Sequence, residues 1–193
     1  MDGSPPQPED SPERGPRALQ APWRLAYLES LSADRTRETP GAGGFLRAYW
    51  LDPVSDRKNH VLVRMSAGMI LLNRFPYANG HLLVALGQGR PRLLDYEPEQ
   101  RRDLWMLTEL AMDLMERTLC CQGVNVGINQ GAAAGAGVPG HLHVHLVPRW
   151  AGDVNFISVV GQVRVIPSSL EAMAERYRAT WARMRTGDPD LEP

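Results

Sequence analysis

Three histidines alternate over five residues in the run His141-Leu142-His143-Val144-His145. Extended backbone sends successive side chains to opposite faces. Read as a strand, the run lines His141, His143 and His145 on one face and Leu142, Val144 and Leu146 on the other. An imidazole titrates near neutral pH and can act as acid, base, nucleophile or metal ligand. On the residues alone, three uses stay open. The first is structural, with half-buried polar side chains finding partners on a solvated sheet face. The second is a metal site, with His60 or His81 adding a ligand. Same-face neighbours on one strand lie roughly 6–7 Å apart, so three of them converge poorly on one ion. The third is covalent catalysis at a phosphorus or acyl centre. That needs an orienting hydrogen bond on the second ring nitrogen and a group that assists the leaving oxygen. The segment just ahead, GAAAGAGVPG at 131–140, carries Gly131, Gly135, Gly137 and Gly140. Backbone N–H groups in such a loop suit phosphate oxygens, although the loop lacks the Gly-Lys-Ser/Thr ending of a Walker loop.

The elements that would hold these residues follow from periodicity and punctuation. A weak strand is expected over 45–51, then a polar connection over 52–59. Residues 60–65 and 69–75 read as strands joined by the turn Ser66-Ala67-Gly68. Residues 76–80 form a turn and 81–86 a third strand. Pro98 suits the first turn of a helix, and Glu99 favours its N-terminal dipole. Leu104, Leu107, Ala111, Leu114 and Thr118 recur at helical spacing, with Gly123 as the stop. Residues 124–130 alternate as a strand, the histidine strand follows, and 156–160 could add another. Pro167 opens a last helix bearing Leu170, Met173, Tyr177 and Trp181. Hairpin-joined strands with one long helix between them argue for an α+β fold with an antiparallel sheet of about five strands.

The rest of the composition narrows the class. The chain has 193 residues and 43% hydrophobic content, enough for one domain. Residues 1–20, with Pro5, Pro6, Pro8, Pro12 and Pro16, read as a disordered tail. Residues 21–185 read as the domain and 186–193 as a flexible acidic tail. A net charge of −1 offers no field for nucleic acid or an anionic membrane. The two cysteines, Cys120 and Cys121, are adjacent, which suits a reducing cytoplasmic setting better than a bridge. No apolar run is long enough to span a bilayer, and the N-terminus lacks the apolar core of a signal peptide.

The run Gly140-His-Leu-His-Val-His-Leu-Val-Pro-Arg149 resembles the signature of the histidine triad (HIT) family. Residues 71–84 (LLNRFPYANGHLLV) are similar to that family's substrate-pocket hairpin, and 125–130 (NVGINQ) to the strand ahead of the triad. Residues 148–156 (PRWAGDVNF) resemble the segment after it in bacterial members, whose start is also similar to Ala21-Pro-Trp-Arg and Tyr27. The likeness covers roughly 21–185 and is nearest to the fragile-histidine-triad branch and bacterial diadenosine tetraphosphate phosphorylases. The resemblance implies an α/β meander, a homodimer joining two sheets, and cleavage of dinucleoside polyphosphates through a nucleotidyl-histidine intermediate. It implies that His143 attacks the α-phosphate and that His145 contacts phosphate and helps the leaving group. His141 would hold the array in place, against His81, which is also expected among the substrate-binding residues. Asn73 would bind the ribose hydroxyls and Gln130 a phosphate oxygen, with Gly137 in the phosphate loop and Ile70 and Leu72 flanking the base. Phosphorolysis to ADP plus ATP is slightly favoured over hydrolysis to AMP plus ATP. The alternatives are hydrolysis of other AMP conjugates or nucleotide binding without catalysis. Some members carry a Cys-x-x-Cys zinc site near the N-terminal strand. The matching region here, about 45–50, has no cysteine, so no structural zinc is expected, and magnesium would come only with the nucleotide.

Overall fold

The computed structural model describes residues 44–153 and 166–187. The proline-rich tail, the segment 21–43, the strand expected at 156–160 and the final tail from 188 lie outside the described residues.

The hairpin reading holds closely. Strands β1 (Val61–Arg64), β2 (Gly68–Leu72) and β3 (Leu82–Leu86) follow in succession. After helix α2 (Pro98–Leu119) come β4 (Gly123–Ile128) and β5 (His143–Arg149). The five strands form one antiparallel sheet in the order β1-β2-β3-β5-β4. β2 and β3 are buried at every residue, because both of their faces are covered. On one face Ile70, Val84, Val144 and Leu146 pack beneath Leu104, Leu107, Ala111 and Leu114 of α2, with Met173 and Tyr177 from α3 (Leu170–Thr186). On the other face Met69, Leu71, Leu83 and Ala85 meet Leu46 of helix α1 (Gly44–Leu51), together with Val138. A bulge between Val61 and Val63 shifts the register of β1.

Three expectations are corrected. Residues 45–51 form helix α1 and not a strand. Its aromatic content favours extended structure, but Phe45, Leu46, Tyr49 and Trp50 recur at the i, i+1, i+4, i+5 positions of one helical face. Arg64 secures the helix end by donating to the carbonyls of Tyr49 (2.8 Å) and Trp50 (2.9 Å), while Asp56 holds the same guanidinium. Helix α2 ends at Cys120, which takes a left-handed conformation (φ 48°), so Gly123 opens β4 instead of stopping the helix. Its start is as read: Pro98 leads, and a reciprocal Glu97–Gln100 capping box satisfies the first N–H groups. Helix α3 begins at Leu170 and not at Pro167, because the Ser169 hydroxyl accepts from the Ala172 N–H (3.1 Å) and caps it. No described helix is long and apolar enough to cross a membrane.

The close pairing of β2 with β3 leaves no room at Gly68. A Cβ there would stand 2.4 Å from the Ala85 carbonyl oxygen and 2.9 Å from a methyl of Leu107. Gly68→Ala is expected to cost about 1–3 kcal/mol in urea unfolding, and an unchanged midpoint would contradict this packing.

Candidate functional site

The register of β3 against β5 decides which histidines share a face. Ala85 sits opposite His143 and Leu83 opposite His145. Both imidazoles therefore point to the α1 side of the sheet, away from α2. Their ring centroids lie 4.8 Å apart. They line a cleft of about 270 Å³ together with Phe45, Tyr49, Leu72, Asn73 and other residues.

His141 does not join them. Strand β5 starts at His143, because the Leu142 N–H bonds to the carbonyl of Arg90 (2.8 Å) and not into the ladder. The His141 ring is fully buried. A carbonyl can only accept, so the 2.7 Å contact between His141 Nε2 and the Leu86 oxygen places a proton on Nε2. A Cβ on Gly89 would stand 2.7 Å from this ring, so glycine is what lets it lie there. The expectation of three imidazoles in line is thus corrected to two in the cleft and one beneath the loop.

The same reasoning assigns the other rings. His143 Nδ1 lies 2.9 Å from the carbonyl oxygen of His141, so Nδ1 carries the proton. Its Nε2 keeps a lone pair, and that ring lines the cleft. His81 Nδ1 receives the backbone N–H of Tyr77 at 3.1 Å, and a backbone N–H can only donate. That nitrogen is therefore unprotonated, and in the neutral ring Nε2 is the donor. His81 Nε2 lies 3.1 Å from His145 Nδ1. His145 Nδ1 must accept, which leaves its proton on Nε2. The expected contact of His81 with His141 is therefore corrected to one with His145. His81 is wholly buried, so it supports His145 and does not touch a ligand directly.

Both cleft rings are held neutral. Burial lowers the pKa of His143; the His141 carbonyl opposes this and the His141 ring adds to it. Burial, and then the neighbouring His143, lower that of His145 to about 4.

The β2–β3 loop supplies the polar rim. The Phe75 N–H donates to Asn73 Oδ1 (2.9 Å), which fixes the orientation of the amide. Asn73 Nδ2 then donates to His81 Nδ1 at 3.2 Å. Asn73 is a turn residue and a cleft residue at once. Tyr77 stacks on His145 with centroids 5.9 Å apart and planes at 24°. Leu83 and Val138 make the apolar end, bordered at the end of β2 by Leu72, which is buried in the cluster beneath α2, with Gly135 and Gly137 at the loop rim.

Besides that of His81, two expected ligand contacts are not assembled. Ile70 is buried on the α2 side of the sheet. Gln130 is exposed, and its Oε1 accepts from the Leu93 N–H at 2.9 Å, outside the cleft. Phe45, Tyr49 and Arg74 line the cleft without having been singled out from sequence. The i, i+4 spacing of Phe45 and Tyr49, whose rings meet edge-on at 5.2 Å, was the signal for the first two. As for metal, no group of three or more His, Cys, Asp or Glu among the described residues could hold an ion. His60, offered as a further ligand, lies instead 3.8 Å from Glu171 of α3.

Comparison with known proteins agrees with this fold. A HIT domain profile matches residues 55–152. An AP-4-A phosphorylase of Mycobacterium tuberculosis is 33% identical over 167 residues, covering 86% of this chain and 84% of that protein. A bis(5'-nucleosyl)-tetraphosphatase [asymmetrical] of Schizosaccharomyces pombe is 33% identical over 95 residues, 49% of this chain and 52% of its own. A hypothetical histidine triad nucleotide-binding protein of Sulfolobus tokodaii has the same fold, with a TM-score of 0.59 at 18% identity, over 76% of this chain and 99% of that one.

The neutral rings predict acid sensitivity. Between the unfolded value of 6.5 and the folded value near 4, the unfolded chain binds a proton at His145 that the native state does not. The resulting stability is complete above about pH 6.5 and is lost as pH falls towards 4. The urea midpoint of the native protein should fall across that range more steeply than that of His145→Gln, and parallel profiles would refute it.

Proposed function

Since the chain belongs to the histidine triad (HIT) family, we propose that it cleaves dinucleoside polyphosphates by nucleotidyl transfer through His143. The observation that supports this most is the opposite tautomers of the two cleft histidines. His143 offers a lone pair and His145 an N–H, both neutral and both fixed by buried partners.

His143 Nε2 attacks the α-phosphorus of the bound nucleotide. The bond to the bridging oxygen breaks, and its electrons leave with the nucleoside polyphosphate. His145 Nε2–H donates a hydrogen bond to that oxygen as charge builds on it. His145 is a fixed donor and not a proton relay, because the chain behind it ends on a backbone N–H, which is too weak an acid to release its proton. A terminal phosphate is largely ionised at neutral pH, so the leaving nucleotide needs no full proton. Developing positive charge on His143 is met by the His141 carbonyl, which accepts its Nδ1–H. His141 is thus a positioning residue. Phosphate or water then attacks the nucleotidyl-imidazole and frees the ring.

Around that step, Phe45, Tyr49, Leu83 and Val138 hold the base, with Leu72 at the border of that pocket. Asn73 meets the ribose hydroxyls, and the backbone near Gly137 meets phosphate oxygens. Arg74, an exposed cation on the cleft rim, faces the anionic substrate. Magnesium, where used, travels with the polyphosphate. Phosphate is favoured over water as acceptor by the likeness to the mycobacterial phosphorylase over most of both chains. The protein works in the cytoplasm as a homodimer. Among the described residues β4 is an edge strand with Asn125, Val126 and Gly127 exposed, which supports the dimer.

His143→Ala is expected to reduce turnover of diadenosine tetraphosphate roughly a thousandfold or more. Quenched wild-type reactions should carry AMP on His143 by mass spectrometry. Products should be ADP plus ATP with inorganic phosphate present. AMP plus ATP under those conditions would assign hydrolysis, and full activity in His143→Ala would end the proposal.

A further inference from the structure

We propose that Gly127 sets substrate specificity: its missing side chain keeps open the path taken by the leaving nucleotide. The inference rests on nucleotidyl transfer at His143 and adds to it which half of the substrate lies where.

Gly127 stands directly opposite His145 across the β4–β5 ladder, so the two share a face. Cβ atoms of directly opposed residues lie about 4.5–5.5 Å apart. A side chain at 127 would therefore grow alongside the His145 ring. Among the described residues, a Cβ built on Gly127 meets no atom within 4 Å, so they leave the space beside that ring clear. A glycine inside a strand weakens it and marks a close approach by a ligand or backbone.

The two flanks of β5 differ sharply. On the β3 side, Leu83 faces His145 and Ala85 faces His143, and both are buried in the cluster that includes Leu46 and Val138. That flank continues into the apolar end of the cleft, where a base fits. On the β4 side, Gly127 and Asn125 are exposed. A nucleotide whose base occupies the β3 side and whose α-phosphorus meets His143 has its remaining phosphates and second nucleoside directed over β4. His145, the hydrogen-bond donor to the leaving oxygen, stands at the border between the two.

Charge adds little on that flank. Arg149 is the cation farther along β5, and Asp153 holds it at 2.6 and 2.8 Å while Asn125 Oδ1 takes a third N–H at 3.0 Å. The β4 face therefore admits the leaving group by room and not by a second anion clamp.

The test compares two adenylyl donors on one site. Diadenosine tetraphosphate has a bulky leaving nucleotide, and adenosine 5′-phosphorofluoridate has a single atom. Gly127→Val should lower kcat/KM for the first by about tenfold or more and leave the second within about twofold. Gly127→Ala should fall between, and it carries the comparison if the valine variant unfolds. Gly123→Val, on the same face but opposite Arg149 and also in open space, should change neither. Equal losses with both donors would mean that His145 had been displaced, and no loss with either would mean another exit path; each result overturns the inference. Wild type inert towards both donors would instead refute the transfer reaction itself, leaving a different signature from a failure at Gly127.

Discussion

A carbonyl oxygen cannot donate a proton and a backbone N–H cannot accept one. Those two constraints, applied at the His141 carbonyl and the Tyr77 amide, set the protonation of both cleft imidazoles. From the carbonyl, His143 acquires a proton on Nδ1 and a free lone pair on Nε2. From the amide, through His81, His145 acquires the reverse. Two identical side chains, 4.8 Å apart, thus become one electron-pair donor and one hydrogen-bond donor. Neither outcome depends on a charged partner. Burial keeps both rings neutral, which preserves the lone pair on the first and leaves Nδ1 of the second free to accept.

The fold exists around that arrangement in a specific sense. β3 and β5 must pair in the register that sets His143 over Ala85 and His145 over Leu83. A slip of one residue would turn both imidazoles into the core beneath α2. The continuous apolar runs of β2 and β3, buried on both faces, hold that register. Small side chains do the rest. Gly89 yields to the His141 ring, Ala85 gives His143 its space, and Gly127 leaves one flank open.

The loops divide the labour. Asn73 closes its own turn through Oδ1 and reaches His81 through Nδ2, so the hairpin that borders the cleft also helps to set the tautomer of its histidines. On the opposite wall, Arg64 ties the end of α1 to β1 and so fixes Tyr49 against the cleft. Site geometry and fold stability here share hydrogen bonds, so changes far from the imidazoles can reach them.

Local pattern was enough to find the strand that bears His143 and His145, the β1–β2–β3 succession and the buried stripe of α2, because side-chain period follows directly from backbone geometry. Asn73 and the link of His81 to the triad came from the family resemblance and not from local pattern. Local pattern misjudged α1, where aromatic propensity outweighed a helical spacing that only packing against the sheet rewards, and it placed the end of α2 at a glycine when Cys120 took the left-handed turn. Partnership across the chain was beyond it. That His81 meets His145 and not His141, that Gln130 bonds to Leu93 outside the cleft, and that Ile70 faces the helices are consequences of strand register and loop closure. Such contacts join residues as many as 64 positions apart. No rule of neighbouring residues specifies them, because they are chosen by which buried polar atoms can satisfy one another once the sheet has formed.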